Sequence, residues 1–472
     1  MTTLNRRKFI GSSGAAVAGT VVAGPMSSMM AKSATLANKR KLALVGTGIR
    51  GSTFWGKRVV GQYSDYVEFV GLCDINPGRV EFVRKYMGVD CPTFTDFDEM
   101  MQQTKPDMLI VTTVDATHNE FIVKGLNYGV DVLTEKPLTT DEVKCEEILK
   151  AEKASGKKLI VGFNYRYATQ PTKLKEILMS NEIGRVTSVD FHWYLNVYHG
   201  ASYFRRWHGL RDKGGTLLVH KATHHFDLLN WLIDSDPVEV FAYGSLEHYG
   251  RNNAFRGDKC RGCPHKQQCK FFWDITQDQM LMDLYVANEN YDGYIRDNCL
   301  WREEIDIYDK MAVQIKYAND VNVSYSLTTY SPYEGWRIAF NGFKGRLDSW
   351  EGIPWRHEEK VAQADLHAQE MSQEEVEDAN PNYDEAVIME NFGDYKKIQI
   401  RAGKGGHGGG DKPLQDRIFV DPNMEDPLRH AAGVRDGVMS IMIGIAARKS
   451  IEEQRPVKIE ELTSMKPSVK RL

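Results

Sequence analysis

Lys41-Leu-Ala-Leu-Val-Gly-Thr-Gly-Ile-Arg-Gly51 is the stretch on which the fold turns. Its first five residues form a short apolar run and predict a buried strand. Gly46, Gly48 and Gly51 follow in a G-x-G-x-x-G spacing, and residues 49–63 are compatible with a helix. Between a strand and a helix, each glycine has its own task. The first permits the tight turn, the second leaves room for a pyrophosphate against the backbone, and the third lets helix and strand pack closely. The helix start, at Ile49 and Arg50, then offers N–H donors and a positive dipole end to phosphates.

Outward from this loop, strand and helix alternate. Residues 67–73 read as a second strand ending at Asp74, and 107–112 as a third. Residues 119–128 suggest a helix, 130–133 a fourth strand, 140–155 a helix and 158–161 a fifth strand. Short connections between such units predict a parallel, doubly wound α/β sheet, the Rossmann arrangement. Asp74 stands where a ribose-binding carboxylate is expected, which favours NAD, while nearby Arg79 keeps NADP open.

Past residue 163 the rhythm changes. Residues 186–195 and 311–328 alternate like strands, and 221–233 look helical. A cysteine-bearing insert spans about 250–300, and the acidic stretch 358–400 reads as an insertion or surface excursion. Residues 429–448 predict a helix packing back on the body. The expected organisation is a dinucleotide domain over 40–162, then an α+β domain over 163–472 with a large, mostly antiparallel sheet.

A length of 472 residues suits two to three domains. The net charge of −4, without a long Lys/Arg run, excludes a nucleic-acid partner. Beyond the N-terminus no stretch reaches the ~18 apolar residues of a membrane span. The first 34 residues differ from the rest. Asn5-Arg6-Arg7-Lys8-Phe9-Ile10-Gly11 leads into a small-residue stretch, 12–24, and Ala31-Lys-Ser-Ala34 offers a cleavage site. This resembles a twin-arginine export signal, which implies folded export, the export machinery as a partner, and a periplasmic location.

Glu135-Lys136-Pro137 follows the fourth strand. With the glycine loop, Asp74 and Thr113-Val-Asp-Ala-Thr-His118, it resembles the glucose–fructose oxidoreductase/inositol dehydrogenase family (Gfo/Idh/MocA). The resemblance runs from about residue 40 to the C-terminus and is densest over 41–170. It implies that Lys136 reaches the nicotinamide end and the substrate hydroxyl. It also implies that cofactor contacts include Thr112, Thr113, His118 and Glu135. A second match runs from Gly214 to Trp231. There His224 takes the catalytic histidine place, Asp227 the following aspartate, and His220 replaces a usual aspartate. Some branches of the family carry a lysine where Lys221 stands. On one helix 220, 224 and 227 would share a face, and 221 and 225 a neighbouring one. Without the usual aspartate, His224 loses its orienting carboxylate. Arg166, Tyr167, His220 and Asp227 are candidate substrate contacts. Asn164, Tyr165, Tyr198, His199, Arg206, Trp207 and His208 form a weaker sugar-friendly set. The glycine loop 405–411, which carries His407, reads as a substrate lid or a surface turn.

Four of seven cysteines gather in the insert: Cys260, Cys263, Cys269 and Cys299. C-x2-C followed by two more cysteines suits a tetrahedral thiolate site. Structural zinc, an Fe–S cluster and disulfides, the last suited to an oxidising compartment, all remain open. His265 is a substitute ligand. Together these features imply an NAD(P)-dependent oxidoreductase acting on a sugar, cyclitol or glycoside by hydride transfer at a ring hydroxyl. Export further implies a tightly held cofactor, and the resemblance implies a homo-oligomer formed through the second sheet. The alternatives are glycosidic cleavage through transient ring oxidation, and a sugar-binding relative with reduced catalysis.

Overall fold

In β1 (Arg40–Val45) the last four residues are buried, as befits a parallel strand with both faces covered. The computed structural model describes residues 39–356, 363–364, 383–403 and 406–471, and the export-signal segment 1–34 lies outside them. With β2 (Val67–Cys73), β3 (Thr93–Phe94), β4 (Met108–Val111), β5 (Asp131–Thr134) and β6 (Leu159–Val161), β1 builds a six-stranded sheet in the order β3-β2-β1-β4-β5-β6. All neighbouring pairs are parallel. The strand order reverses at β1/β4, and a ligand crevice opens beyond the carboxyl ends of the strands there. The glycine loop leaves β1 at that point.

The helix after the loop is a wide π-helical run, Arg50–Lys57, continued by the α-helix Arg58–Tyr63. β3 and the helices Pro77–Met87 and Phe97–Thr104 fill the stretch between Asp74 and β4, which the sequence reading left unassigned. Pro77–Met87 begins where Asn76 accepts from the Arg79 N–H, with Pro77 in the first turn, and ends at left-handed Gly88.

A second sheet holds nine strands among the described residues: β7 (Val186–Asn196), β8 (Pro237–Ser245), β9 (Lys310–Tyr317), β10 (Asn322–Ser331), β11 (Gly335–Gly342), β12 (Gly345–Glu351), β13 (Tyr383–Glu390), β14 (Tyr395–Arg401) and β15 (Val457–Lys458). Their order is β14-β13-β12-β11-β7-β10-β9-β8-β15, and only β7 and β10 pair in parallel. Residues 311–328 are thus two strands rather than one, joined by a turn in which Asp320 is left-handed. Strict alternation in β9 and β10 buries one face against the helix Ala222–Ile233, with Tyr325 on Phe226, while the helix Val434–Glu453 packs on β8. The acidic stretch 358–400 is not wholly an excursion. Its last part supplies β13 and the edge strand β14, and the charged side chains of β14 suit an exposed sheet edge.

Candidate active site

Gly46 has φ +90°, and a Cβ there would come within 2.6 Å of the Thr112 carbonyl carbon and the Thr113 nitrogen. A side chain at Gly51 would overlap the Gly46 carbonyl oxygen. The loop is therefore folded tightly onto the end of β4, and Thr112 locks it by donating its hydroxyl to the Gly46 oxygen at 2.5 Å. Asp74 is buried beside it. One carboxylate oxygen accepts from the Thr47 N–H (2.7 Å) and hydroxyl (2.9 Å). The other accepts from the Asn76 N–H (3.0 Å) and Arg79 (3.3 Å).

The insert forms a second wall over this loop. The Ile49 N–H donates to the Tyr285 hydroxyl at 2.8 Å, Asn76 donates to the Asn288 carbonyl at 2.9 Å, and Arg79 pairs with Asp292 at 2.5 Å. Arg79 is thus held between Asp74 and Asp292, with its guanidinium 5.5 Å from the Tyr285 ring centre.

At the end of β5, Glu135 accepts from Arg50 (2.5 Å), the Trp55 indole (2.7 Å) and the Lys136 N–H (3.1 Å). These bonds fix the backbone that aims Lys136 into the crevice. The Lys136 ammonium donates to the His220 carbonyl at 3.5 Å, and burial pulls its pKa down to about 8. His118 serves the scaffold. Its two ring nitrogens meet the Pro137 carbonyl (2.8 Å) and the Thr113 carbonyl (3.2 Å), tying the β4 and β5 loops together.

His220 is not left without a carboxylate. Its Nδ1 lies 2.5 Å from Asp115, whose pKa burial raises, while burial and nearby Lys136 hold His220 well below the usual histidine range. Asp115 lies inside the quoted 113–118 motif, yet nothing in its spacing indicated this partner. His224 is buried, and its Nδ1 has no hydrogen-bond partner among the described residues. It sits edge-on to Tyr165 (4.9 Å) and near His407 (6.1 Å), and burial with Lys136 keeps it neutral. The Lys221 ammonium lies 5.5 Å from the Trp193 ring centre and 5.7 Å from that of Tyr165. The described part of the glycine loop closes this wall. His407 reaches within 5.2 Å of Tyr165, and Asp411 holds His407 (3.0 Å) and Asn164 (2.6 Å). Gly405 lies outside the described residues.

The single helical face expected for 220, 224 and 227 is interrupted. The chain forms Leu217–His220 and then Ala222–Ile233, with Lys221 at the joint. His225 turns into the sheet, stacking on Trp193 at 3.8 Å and bonding the Tyr325 hydroxyl at 2.7 Å. Arg166 and Asp227 bind each other by two bonds, 2.7 and 2.5 Å, and Arg166 also holds Asp436 at 2.6 Å. This buried network leaves Asp227 no bond to the histidines. Tyr167 stacks on His430 at 4.9 Å, away from Lys136.

The four insert cysteines line one narrow cavity of about 20 Å³ with Arg205 and Trp301, room for roughly one water-sized guest. All four thiols are free, and Arg205 donates to the Cys260 sulfur at 2.9 Å. Among the described residues no group of three or more His, Cys, Asp or Glu is arranged to hold a metal ion, so the zinc expectation gains no support from this geometry. Nor is any helix among them long and apolar enough to cross a membrane.

Residues 40–163 match the Gfo/Idh/MocA model described as oxidoreductase family, NAD-binding Rossmann fold. Residues 175–459 match the C-terminal alpha/beta domain of the same family. The chain is 36% identical over 451 residues to YteT of Bacillus subtilis (strain 168), named as an oxidoreductase, covering 90% of this chain and 99% of that protein. It is 28% identical over 204 residues to inositol 2-dehydrogenase of Salmonella typhimurium (strain LT2), covering 43% of this chain and 57% of that protein. Two solved structures share the fold. The WlbA dehydrogenase from Chromobacterium violaceum, in complex with NADH and UDP-GlcNAcA, has a TM-score of 0.59 at 19% identity, covering 93% of this chain and 99% of that one. The aldose-aldose oxidoreductase from Caulobacter crescentus has a TM-score of 0.57 at 14% identity, covering 89% of this chain and 100% of that one.

Proposed function

We propose, for a chain that belongs to the Gfo/Idh/MocA oxidoreductase family, that it oxidises a ring hydroxyl of a sugar, cyclitol or glycoside with NAD. One observation carries this reading. A half-buried lysine, Lys136, and a neutral imidazole with an uncommitted nitrogen, His224, stand together beside a dinucleotide-type glycine loop. NAD, when bound, supplies the hydride acceptor. The Lys136 ammonium binds the reacting hydroxyl oxygen and stabilises the charge that builds on it. His224 takes the hydroxyl proton. His220, fixed by Asp115, positions Lys136 through its carbonyl. Lys221, held over Trp193 and Tyr165, adds positive charge to the same wall. Arg79 is occupied by two carboxylates, which favours NAD over NADP. The insert contacts on Ile49, Asn76 and Arg79 favour slow cofactor release. Inositol 2-dehydrogenase among the relatives supports a polyol substrate.

The test is formation of the reduced-nicotinamide absorbance with a panel of cyclitols, sugars and glycosides. Lys136→Ala and His224→Ala should each lower turnover about 100- to 10,000-fold. Turnover that survives both substitutions would overturn the assignment.

Three further readings belong to the whole chain. Arg6-Arg7 directs export by the twin-arginine route to the periplasm; Arg6→Lys with Arg7→Lys should retain the protein in the cytoplasm, and unaltered export refutes the route. The four cysteines staple the insert, by a bound metal such as zinc or by pairing. Their common cavity supports this, and four titratable thiols without bound metal would refute it. The chain forms a homo-oligomer through the second sheet, which a monomeric mass by light scattering would exclude.

A further inference from the structure

Two guanidinium groups near the site, Arg296 buried and Arg206 half-buried, have no carboxylate partner among the described residues. Arg296 is 4% exposed, its Nε has no hydrogen-bond partner, and it joins no ion pair among the described residues. Arg206 donates its Nε to the Ser202 carbonyl (2.8 Å) and lies over the Tyr203 ring (5.2 Å), likewise with no ion pair among them. Arg79 and Arg166, by contrast, each face two carboxylates. Burial, and then the charge of Arg296, pull Arg206 down to about 10, so the two cations feel each other's charge. Both also act on His208, whose buried Nδ1 lacks a partner among the described residues.

Their position is informative. Arg296 lies 5.5 Å from the centre of the Tyr285 ring, and the Tyr285 hydroxyl sits on the Ile49 N–H of the glycine loop. His208, two residues after Arg206, lies 4.2 Å from the His220 ring. The pair therefore flanks the crevice between the glycine loop and Lys136. Burying an uncompensated cation within reach of a second, half-buried one is costly unless a ligand brings the counter-charge. Planar guanidinium forks match carboxylate and phosphate oxygens.

We propose that Arg206 and Arg296 together bind one anionic group, a carboxylate or a phosphate, of a ligand held in the crevice. The proposal rests on reading the crevice as the active site. Two sources carry this chemistry: an acid group on the sugar, or the dinucleotide's own phosphate. Binding of glucuronate, glucose and NAD to the full chain separates them when wild type is compared with Arg206→Gln, Arg296→Gln and Arg296→Lys. A loss of at least tenfold for glucuronate alone assigns the sugar acid, and the same loss for NAD assigns the phosphate. Glucose binding should be unchanged in either case, and Arg296→Lys should recover part of the loss. Melting curves identify any variant that fails to fold, and for such a variant Arg296→Lys is the comparison. Unchanged affinity for both anions in folded variants overturns the proposal. Failure of wild type to bind NAD at all would overturn the functional reading instead.

Discussion

Asp115 and His220, 2.5 Å apart, hold the arrangement on which the chemistry depends. Asp115→Asn keeps the shape but weakens the grip on His220 and, through its carbonyl, on Lys136. We expect turnover to fall about 10- to 100-fold with substrate affinity little changed. A fall as large as that of His224→Ala would instead make His220 the proton acceptor. The pH dependence follows from two shifts. His224 is held below its ordinary range, so it stays a proton acceptor through neutrality, and the acid limb of kcat/KM should lie below about pH 6.5. Lys136 works as a cation, so activity should decline as pH rises through about 8 and the ammonium is lost. In Lys136→Arg the guanidinium stays charged, and whatever activity remains should lack that basic limb. Arg166 and Asp227 predict a different phenotype. Arg166→Ala strands the buried Asp227 carboxylate and leaves half-buried Asp436 to Arg471, and should cost about 3–5 kcal/mol of stability, read by denaturant titration.

At the scale of elements, the insert is the part that sequence could not place. Strands β1, β2, β4, β5 and β6 were legible because apolar runs of four to seven residues, cut off by glycine or aspartate, carry their own signal. The helix Ala222–Ile233 was legible too, but the joint at Lys221 was not, and it is that joint that sets His220 on a separate turn from His224 and Asp227. Asp115 with His220, and Tyr285 with Ile49, are partners 105 and 236 residues apart. Only the packed fold brings such pairs together, and no periodicity encodes them. β13 and β14 escaped because the edge strand β14 and its neighbour β13 are charged and lack a clean apolar alternation. The insert contacts make a kinetic prediction. Tyr285→Phe combined with Asp292→Asn removes the cap on Ile49 and the second anchor of Arg79. Bound NAD should then leave at least tenfold faster in a dilution experiment, and an unchanged release rate would show that the insert does not retain it.

For the whole molecule, the proposed slow cofactor release and the proposed export by the twin-arginine route fit one design: a dinucleotide loaded once and kept through many cycles. A cofactor that stays must be returned to its starting state within the cycle, either by a second sugar or by the same ring. That requirement joins the site to its proposed location, since free NAD is not expected outside the cytoplasm. The most direct test is native mass spectrometry of the purified protein without added nucleotide, before and after a panel of cyclitols and sugars. The account predicts one dinucleotide per chain at the start and its conversion to the reduced form by at least one compound, in wild type but not in Lys136→Ala. Protein that carries no dinucleotide and takes none up when NAD is supplied would contradict it.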